Sequence, residues 1–368
     1  MSGILIKKPF IAGLLKFLET RLIILFIGAL CFAIFPQHAQ PFHQKTAQQV
    51  INLKAVWNKF DSHWYQKLAN EGYPQRAFTD EIQETWGFMP LYPLLISLLR
   101  GLFGGNLFYT GIFISNACTL TALYIIHKLT QEKFNTGNET VSLILTCAGS
   151  FYLSIVYAEG LFILLTALVF YLTHKKHYGW ALVIAGLASV TRIQGCLLFV
   201  IPGVEIIKHN WRTTFKYIPA LLLSALPIIL LMLLLNQTCG EPLAFLKIQH
   251  AWGSSELFPL QGFVGLLHGN RLGSSITNTF FWIMILVIVI ACYRKLPLSY
   301  VIFTLLYFLL STSNEIVYGT TRYMLGVLPL FVAVSLSSPY VKQFFIFINI
   351  LFLALTISAF VTSTATFI

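Results

Sequence analysis

Charged residues are scarce in this sequence. Only 10% of its 368 residues are Asp, Glu, Lys or Arg, whereas 57% are hydrophobic and the mean hydropathy is +0.76. Soluble domains carry about 25% charged residues and need that polar cover at their surface. The lack of charge therefore excludes a soluble globular protein, and the long apolar runs exclude disorder. The composition predicts an all-α protein that crosses a membrane many times.

Several common signatures are also missing. The six cysteines are dispersed and form no CxxC pair, so neither a disulfide framework nor a zinc knuckle is indicated. No GxxxxGK[ST] or GxGxxG loop occurs, and the predicted cytoplasmic segments are too short for a nucleotide-binding domain. No internal repeat is visible, which disfavours the secondary transporters built from repeated halves. An activated substrate would therefore arrive from the lipid or from outside.

Apolar runs follow one another along residues 1–368, which we predict to be a single integral membrane domain. We expect about 11 transmembrane helices, with 88–104 as a re-entrant or interfacial segment. The first run ends in bulky residues without an A-x-A site, which favours an uncleaved span over a signal peptide. The runs are 22–37, 88–104, 107–127, 141–157, 160–173, 179–190, 196–207, 216–235, 277–293, 297–311, 323–338 and 343–362.

The net charge of +11 is explained by topology. With a cytoplasmic N-terminus, flanked by Lys7, Lys8, Lys16 and Arg21, most Lys and Arg residues fall in short cytoplasmic segments, as the positive-inside rule requires. Most acidic residues fall outside the cytoplasm. The basic balance therefore predicts no nucleic-acid partner.

Two long outer loops, 38–87 and 236–276, are the expected sites of function. In the first, Phe60, Trp64 and Leu68 recur every four residues and predict an amphipathic helix on the membrane surface, closed by Gly72 and Pro74. Asp61 stands where it could cap that helix or serve chemistry. Nearby Glu84 clusters with Asp80 and Glu81, which favours a solvated loop.

Several segments resemble the PIG-V family, whose members add the second mannose in glycosylphosphatidylinositol assembly. FDSHWYQKLANEGYP at 60–74 is similar to its aromatic-Asp-x-x-x-Tyr-x-x-Ile/Leu-Ala-x-x-Gly-Tyr signature, and FMPLYPLL at 88–95 to its FFPLYPLL motif. Weaker likenesses are SFY with YAEGLF within 150–162, GLASVTRIQG at 186–195, and Arg322-Tyr323. The chain departs from the family at Phe60, where Trp is common, and at Met89, where Phe is.

This resemblance implies the glycosyltransferase C (GT-C) fold with an extracytoplasmic active site, in a bacterial inner or plasma membrane rather than the endoplasmic reticulum. The implied activity is transfer of a hexose, with mannose expected, from a polyprenyl-phosphate sugar to a glycolipid, glycan or protein. A lipid-borne donor agrees with the missing nucleotide-binding domain. The alternative is a multi-span transporter or flippase of a lipid-linked sugar or other substrate.

An inverting transfer needs a carboxylate base and a cation for the phosphate leaving group. Asp61 matches the acid of the family motif and is our predicted general base, with Tyr65 and His63 as its polar partners or as contacts to the sugar. For His63, an interfacial histidine without a catalytic task is the favoured interpretation.

Arg192 is the predicted phosphate ligand, with Gln194 beside it and Glu159 as a structural ion-pair partner. Arg322 competes for the same role. Trp252 could stack on a sugar ring, and anchoring at the membrane interface explains this residue equally well. We predict no metal or other cofactor, because the first loop has no HxxxH, DxD or HExxH spacing; a divalent cation, as in some GT-C enzymes, is the alternative.

Overall fold

The computed structural model describes residues 7–34, 53–252, 260–262, 264, 272–313 and 319–363. Every regular element in these ranges is helical, which confirms the predicted all-α class. The α-helices are α1 (Lys7–Ile34), α2 (Leu53–Trp57), α3 (Asp61–Glu71), α4 (Leu91–Leu99), α5 (Leu107–Phe134), α6 (Gly137–Leu145), α7 (Glu159–His174), α8 (Tyr178–Ser189), α9 (Val200–Asn210), α10 (Ile218–Cys239), α11 (Ala244–Lys247), α12 (Leu272–Ala291), α13 (Leu298–Ser311), α14 (Thr320–Tyr323), α15 (Leu328–Ser335) and α16 (Pro339–Thr362).

Four of these helices, α1, α5, α10 and α16, are long and apolar enough to cross a membrane. Many of their large apolar side chains are exposed, such as Phe26 of α1 and Leu222 of α10, as lipid-facing residues would be. Other apolar helices have 10–17 residues, and at about 1.5 Å per residue they fall short of a hydrocarbon core of about 30 Å. The count of eleven spans therefore stays a prediction.

Two runs that we expected to be continuous are broken. In 141–157, α6 ends at Leu145 and a short 3₁₀ helix, Ser150–Leu153, follows. In 323–338, a 3₁₀ turn at Met324–Gly326 separates α14 from α15. The two breaks pack against each other, since a Cβ added at Gly149 would lie 2.0 Å from the carbonyl oxygen of Thr321. Non-helical backbone at membrane depth requires such burial within protein. The first break carries Tyr152 and the second adjoins Arg322, both of which line the cavity of the candidate site.

Charged side chains gather at the two ends of the helix bundle. Glu159 begins α7 and His174 ends it, so the two residues are about 22 Å apart along the axis. At the His174 end, Lys175 pairs with Glu132 at 2.8 Å, where α5 also ends. The predicted topology places Glu132 and Lys175 on the same side of the membrane, because successive apolar runs cross it in opposite directions. Their ion pair agrees with that placement.

Arg21 corrects one detail of the predicted topology. It lies in the middle of α1, where it is 8% exposed, and not at a solvated cytoplasmic flank. Its Nη1 donates to the carbonyl oxygen of Ser150 at 2.7 Å and to Ser154 Oγ at 2.9 Å. A buried arginine in a span needs such acceptors. Arg21 thereby ties α1 to the 3₁₀ helix at Ser150–Leu153.

The predicted topology can be tested with truncated fusions. A reporter that is active only outside the cytoplasm should be active when fused after Asn58 and inactive when fused after Lys176 or Arg294, because the positive-inside rule places the latter two in the cytoplasm. Enzyme activity of the reporter in intact cells is the measurement. The reverse pattern would move the candidate site to the cytoplasmic side.

Candidate active site

The predicted short helix in the first outer loop is present as α3, and Gly72 at φ +73° ends it. The capping role considered for Asp61 is wrong. The helix begins at Asp61 itself, Phe60 takes the cap position, and no side chain caps the helix. The backbone N–H of Asp61 donates to the hydroxyl of Tyr157 at 3.2 Å. The Asp61 carboxylate makes a different contact, to Arg322.

The face of α3 that packs into the protein is also different from the predicted one. Ser62, Tyr65, Leu68 and Ala69 are its buried residues. Leu68 therefore contacts the protein interior, and the proposed membrane-lying face of Phe60, Trp64 and Leu68 is wrong. Asp61 and Tyr65 are one turn apart, so they share the face that looks into the bundle.

Arg322 is the centre of the candidate site. Its Nη1 lies 2.5 Å from Asp61 Oδ2, its Nε donates to Glu159 Oε1, and its Nη2 is 3.5 Å from the Tyr65 hydroxyl. The guanidinium also lies over the ring of Tyr157, 4.7 Å from its centroid. The three contacts use the planar fork of arginine, which a lysine could not reproduce.

Arg192 approaches the same carboxylate from another element. It follows α8 in a tight turn, in which a Cβ on Gly195 would lie 2.1 Å from the carbonyl oxygen of Ala188. Its Nη1 donates to Glu159 Oε1, and its Nε is 3.4 Å from Gln194 Oε1. The structural pairing of Arg192 with Glu159 is thus present, and it does not prevent Arg192 from also facing the cavity described next.

A cavity of about 320 Å³ brings most of the predicted site residues together. This volume is at the lower end of the roughly 300–1,000 Å³ typical of small-molecule sites. Its wall combines charged, hydroxyl and apolar groups. The predicted residues that line it are Asp61, Tyr65, Arg192, Gln194, Trp252 and Arg322.

Glu159 lies behind this wall and joins the two arginines. It is 2% exposed, and both guanidinium groups donate to its Oε1. Its Oε2 has no hydrogen-bond partner within the described part of the chain. Two arginines and two carboxylates therefore form a continuous chain of ion pairs, Arg192–Glu159–Arg322–Asp61, whose formal charges cancel.

Aromatic rings form another part of the cavity wall. Trp252 meets Trp64 and Phe88 edge to face, with centroids 6.1 and 6.0 Å apart. A Cβ added at Gly87 would lie 3.1 Å from the Trp252 ring, so the small residue leaves room for the indole. Trp252 is therefore placed where it could stack on a sugar ring.

The hydroxyl of Tyr65 is suited to hydrogen bonding. Burial raises the pKa of Tyr65, so the phenol keeps its proton and can donate to a ligand. His63 is placed differently: it is exposed, packs beside Trp64 with ring centroids 5.8 Å apart, and does not line the cavity.

Glu84 corrects the expectation of a solvated acidic loop. It is 7% exposed and pairs with Lys67 at 2.7 Å and with Arg76 at 3.0 Å. Burial by itself raises the pKa of Glu84, but hydrogen bonds from Lys67 and the Thr85 N–H outweigh it, so the pKa lies below its usual value. Glu84 therefore joins α3 to the rest of its loop.

Three tyrosines of the site were not among the predicted site residues. Tyr152 and Tyr157 lie under Arg322, and Tyr323 lies under Arg192, with its ring centroid 5.1 Å from the guanidinium carbon. Such contacts favour the cationic state of both arginines. Tyr152 and Tyr157 could have been found from their position in the sequence, because they shortly precede Glu159, the first residue of α7.

The described residues gather no group of three His, Cys, Asp or Glu side chains that could hold a metal ion. The two carboxylates nearest the cavity, Asp61 and Glu159, are both paired with Arg322. His38 and His43 of the first outer loop lie outside the described residues, as does 253–259 of the second.

Glu159→Gln should destabilise the fold strongly. Removing one partner of a buried ion pair costs about 3–5 kcal/mol, and here it would leave the buried guanidinium of Arg192 and the half-buried one of Arg322 with one carboxylate. Thermal unfolding in detergent is the measurement. Glu132→Gln, which breaks the more exposed pair with Lys175, is the control and should cost at most about 1 kcal/mol. Equal melting of both variants would mean that Glu159 does not hold the arginines.

Comparisons of the chain with protein-family models, with curated proteins and with solved structures find no match. The resemblance to the PIG-V family therefore rests on the motifs alone. The geometry defines the chemistry that is possible: a carboxylate that could accept a proton, two guanidinium groups that could bind an anion, and aromatic rings that could hold a sugar.

Proposed function

We propose that this protein is an inverting glycosyltransferase of the GT-C class, related to the PIG-V mannosyltransferases. It transfers a hexose, with mannose expected, from a polyprenyl-phosphate sugar to a hydroxyl group of a glycolipid, glycan or protein outside the cytoplasm. The observation that carries the proposal is the position of Asp61 beside Arg322 in one cavity that Arg192 also lines.

The proposed reaction uses these groups as follows. The acceptor oxygen attacks the anomeric carbon of the donor and forms the new glycosidic bond, while its proton passes to the Asp61 carboxylate. The bond between the anomeric carbon and the phosphate oxygen breaks, and its electron pair leaves with the phosphate. The products are an inverted glycoside and a polyprenyl phosphate.

The two arginines suit the charge change of the donor. Its phosphodiester carries one negative charge, and the departing phosphate monoester carries two. Groups that bind the developing charge better than the initial one accelerate the chemical step. Arg192 and Arg322 both face the cavity and are held in place by Glu159, so they need little rearrangement to do this.

The apolar part of the cavity wall suits the lipid portion of such a donor. Ile193, Phe245, Leu246 and Leu310 line it together with the charged residues. A donor with an isoprenoid chain would place its first carbons against these side chains and its phosphate against the arginines. A donor carried by lipid also needs no nucleotide-binding domain.

The test is sugar transfer by the purified protein in detergent. Polyprenyl-phosphate mannose with a labelled sugar is mixed with a lipid extract or simple mannosides as acceptors, and labelled product and free polyprenyl phosphate are measured. Transfer in detergent supports the proposal and rules out a pure transporter, because no membrane separates two compartments. Movement of the labelled lipid across proteoliposomes without transfer would favour the flippase.

A further inference from the structure

The residue before Asp61 has an unusual backbone. Phe60 adopts φ +50° and ψ −123°, in a region that bulky L-residues avoid. Such conformations persist only where surrounding contacts hold them, and they concentrate at functional sites. This turn sets the direction in which Asp61 enters α3. The contacts that hold the turn therefore bear on the position of the Asp61 carboxylate.

Tyr157 supplies one of these contacts, since its hydroxyl accepts from the Asp61 N–H at 3.2 Å. The others come from the C-terminal end of α16. Lys59 Nζ donates to the carbonyl oxygen of Val361 and to Ser363 Oγ, the latter at 3.0 Å. The rings of Phe60 and Phe360 lie 5.3 Å apart, and Trp57 stacks on the same Phe360 at 6.2 Å. The turn before Asp61 is thus docked on the last turn of α16.

The end of α16 is a favourable place for an ammonium group. The last four carbonyls of a helix have no partner within it, and the helix dipole makes this end negative. Lys59 is half-buried, and this burial lowers the pKa of its ammonium to about 8. A partly desolvated ammonium needs acceptors, and the end of α16 supplies them. Lys59 itself does not line the cavity.

We infer that Lys59 is a positioning residue, whose ammonium caps the C-terminal end of α16 and so holds the Phe60 turn that aims Asp61 into the cavity. The inference rests on the proposed function for its effect on rate. Lys59 acts through Asp61 and touches no substrate. Through this contact, α16 also contributes to the position of the proposed general base.

A double-mutant cycle tests this role. Lys59→Met keeps the length of the stem and removes the charge, and a misplacement of about 1 Å costs on the order of 10²-fold in rate. We expect kcat to fall at least tenfold with an unchanged donor KM, and Lys59→Arg to restore most of it. In an Asp61→Asn background, Lys59→Met should cause almost no further loss of kcat, because Lys59 affects the rate only by positioning the Asp61 carboxylate, which this background lacks.

The control is Lys54→Met, at an exposed lysine of the same segment, which should transfer sugar as the wild type does. An equal loss from Lys59→Met in both backgrounds would show a merely structural role and overturn the inference. So would an unchanged kcat in Lys59→Met.

Ser363→Gly is a second variant that should fold well. Ser363 has φ +57°, a conformation that glycine adopts without strain, so stability should be kept. The variant removes the Oγ acceptor of Lys59, and we expect kcat to fall about two- to fivefold, in line with the loss of one hydrogen bond. An unchanged kcat would argue against the contact.

One further measurement separates failure of this inference from failure of the proposed function. Fluorotryptophan at Trp57, assigned with Trp57→Phe, reports by ¹⁹F NMR whether the turn stays docked on α16. If the wild type transfers no sugar, the proposed function fails, and the ¹⁹F signal still decides whether Lys59 holds the turn. A signal unchanged by Lys59→Met overturns the inference under either result.

Discussion

Asp61→Asn should lower sugar transfer by about 10²–10⁴-fold, because a neutral amide cannot accept the proton of the acceptor hydroxyl. Asn keeps the size of the side chain and one acceptor oxygen for Arg322. Replacing a charged hydrogen bond should cost at most about 2 kcal/mol, so the protein should remain folded. Asp61→Glu should also transfer slowly, since an extra methylene moves the carboxylate out of reacting distance.

The same variant should bind polyprenyl phosphate more tightly than the wild type does. In the structure, Arg322 Nη1 is occupied by Asp61, so an incoming phosphate must compete with that carboxylate. Without the negative charge of Asp61, Arg322 is free to bind the phosphate, and the repulsion between two anions disappears. Loss of transfer together with stronger product binding is a combination that damage to the fold would not produce.

The measurements are the rate of transfer per folded protein, the melting temperature, and the affinity for polyprenyl phosphate. Glu81→Gln is a matched control, since it removes an exposed acid from the same outer loop and should change none of the three. If Asp61→Asn transfers sugar normally when folded, then Asp61 only neutralises Arg322 and another group is the base.

The sequence located the candidate site better than it located the contacts within it. The family motif and the predicted topology placed Asp61, Glu159 and Arg192 on the same side of the membrane. The structure joins these residues and Arg322 in one chain of ion pairs. The sequence did not predict which arginine would pair with which carboxylate. Asp61 and Arg322 are 261 residues apart, and no local pattern encodes a contact over that distance.

The position of His63 could have been predicted from helix geometry. Residues two apart on an α-helix point to different sides, whereas residues four apart are neighbours. Asp61 and Tyr65 therefore share the inner face of α3, and His63 between them lies outside.

Glu84 is a different case, because a cluster of acidic residues in a sequence suggests a loop that is exposed to solvent. Its burial depends on Lys67 and Arg76, which the fold brings to it.

Hydropathy could not reveal the broken helices. A run of apolar residues gives the same signal whether it forms one helix or two short ones joined by a buried turn. The 3₁₀ helix at Ser150–Leu153 and the break at Met324–Gly326 lie in such runs. They carry Tyr152 and adjoin Arg322, so the irregular backbone occurs where the site needs it.

Arg322→Lys should lower transfer by about 10²–10³-fold, the usual cost of losing one preorganised group that stabilises developing charge. Lysine keeps the positive charge but has no planar fork. It cannot reach Asp61, Glu159 and Tyr65 together, so its position beside the phosphate would be lost. Because the phosphate gains charge only as the bond breaks, kcat should fall with kcat/KM while KM for the donor stays near its wild-type value.

Arg76→Lys is the matched control for Arg322→Lys. Arg76 also pairs with a buried carboxylate, Glu84, but its side chain is 47% exposed and it lies away from the cavity. The control should keep transfer within about twofold of the wild type, since exposed ion pairs contribute little. A higher donor KM with unchanged kcat in Arg322→Lys would mean that Arg322 binds donor and transition state equally. Full activity would leave Arg192 as the phosphate ligand, and Arg322 would then serve only to hold Asp61 and Glu159 in place.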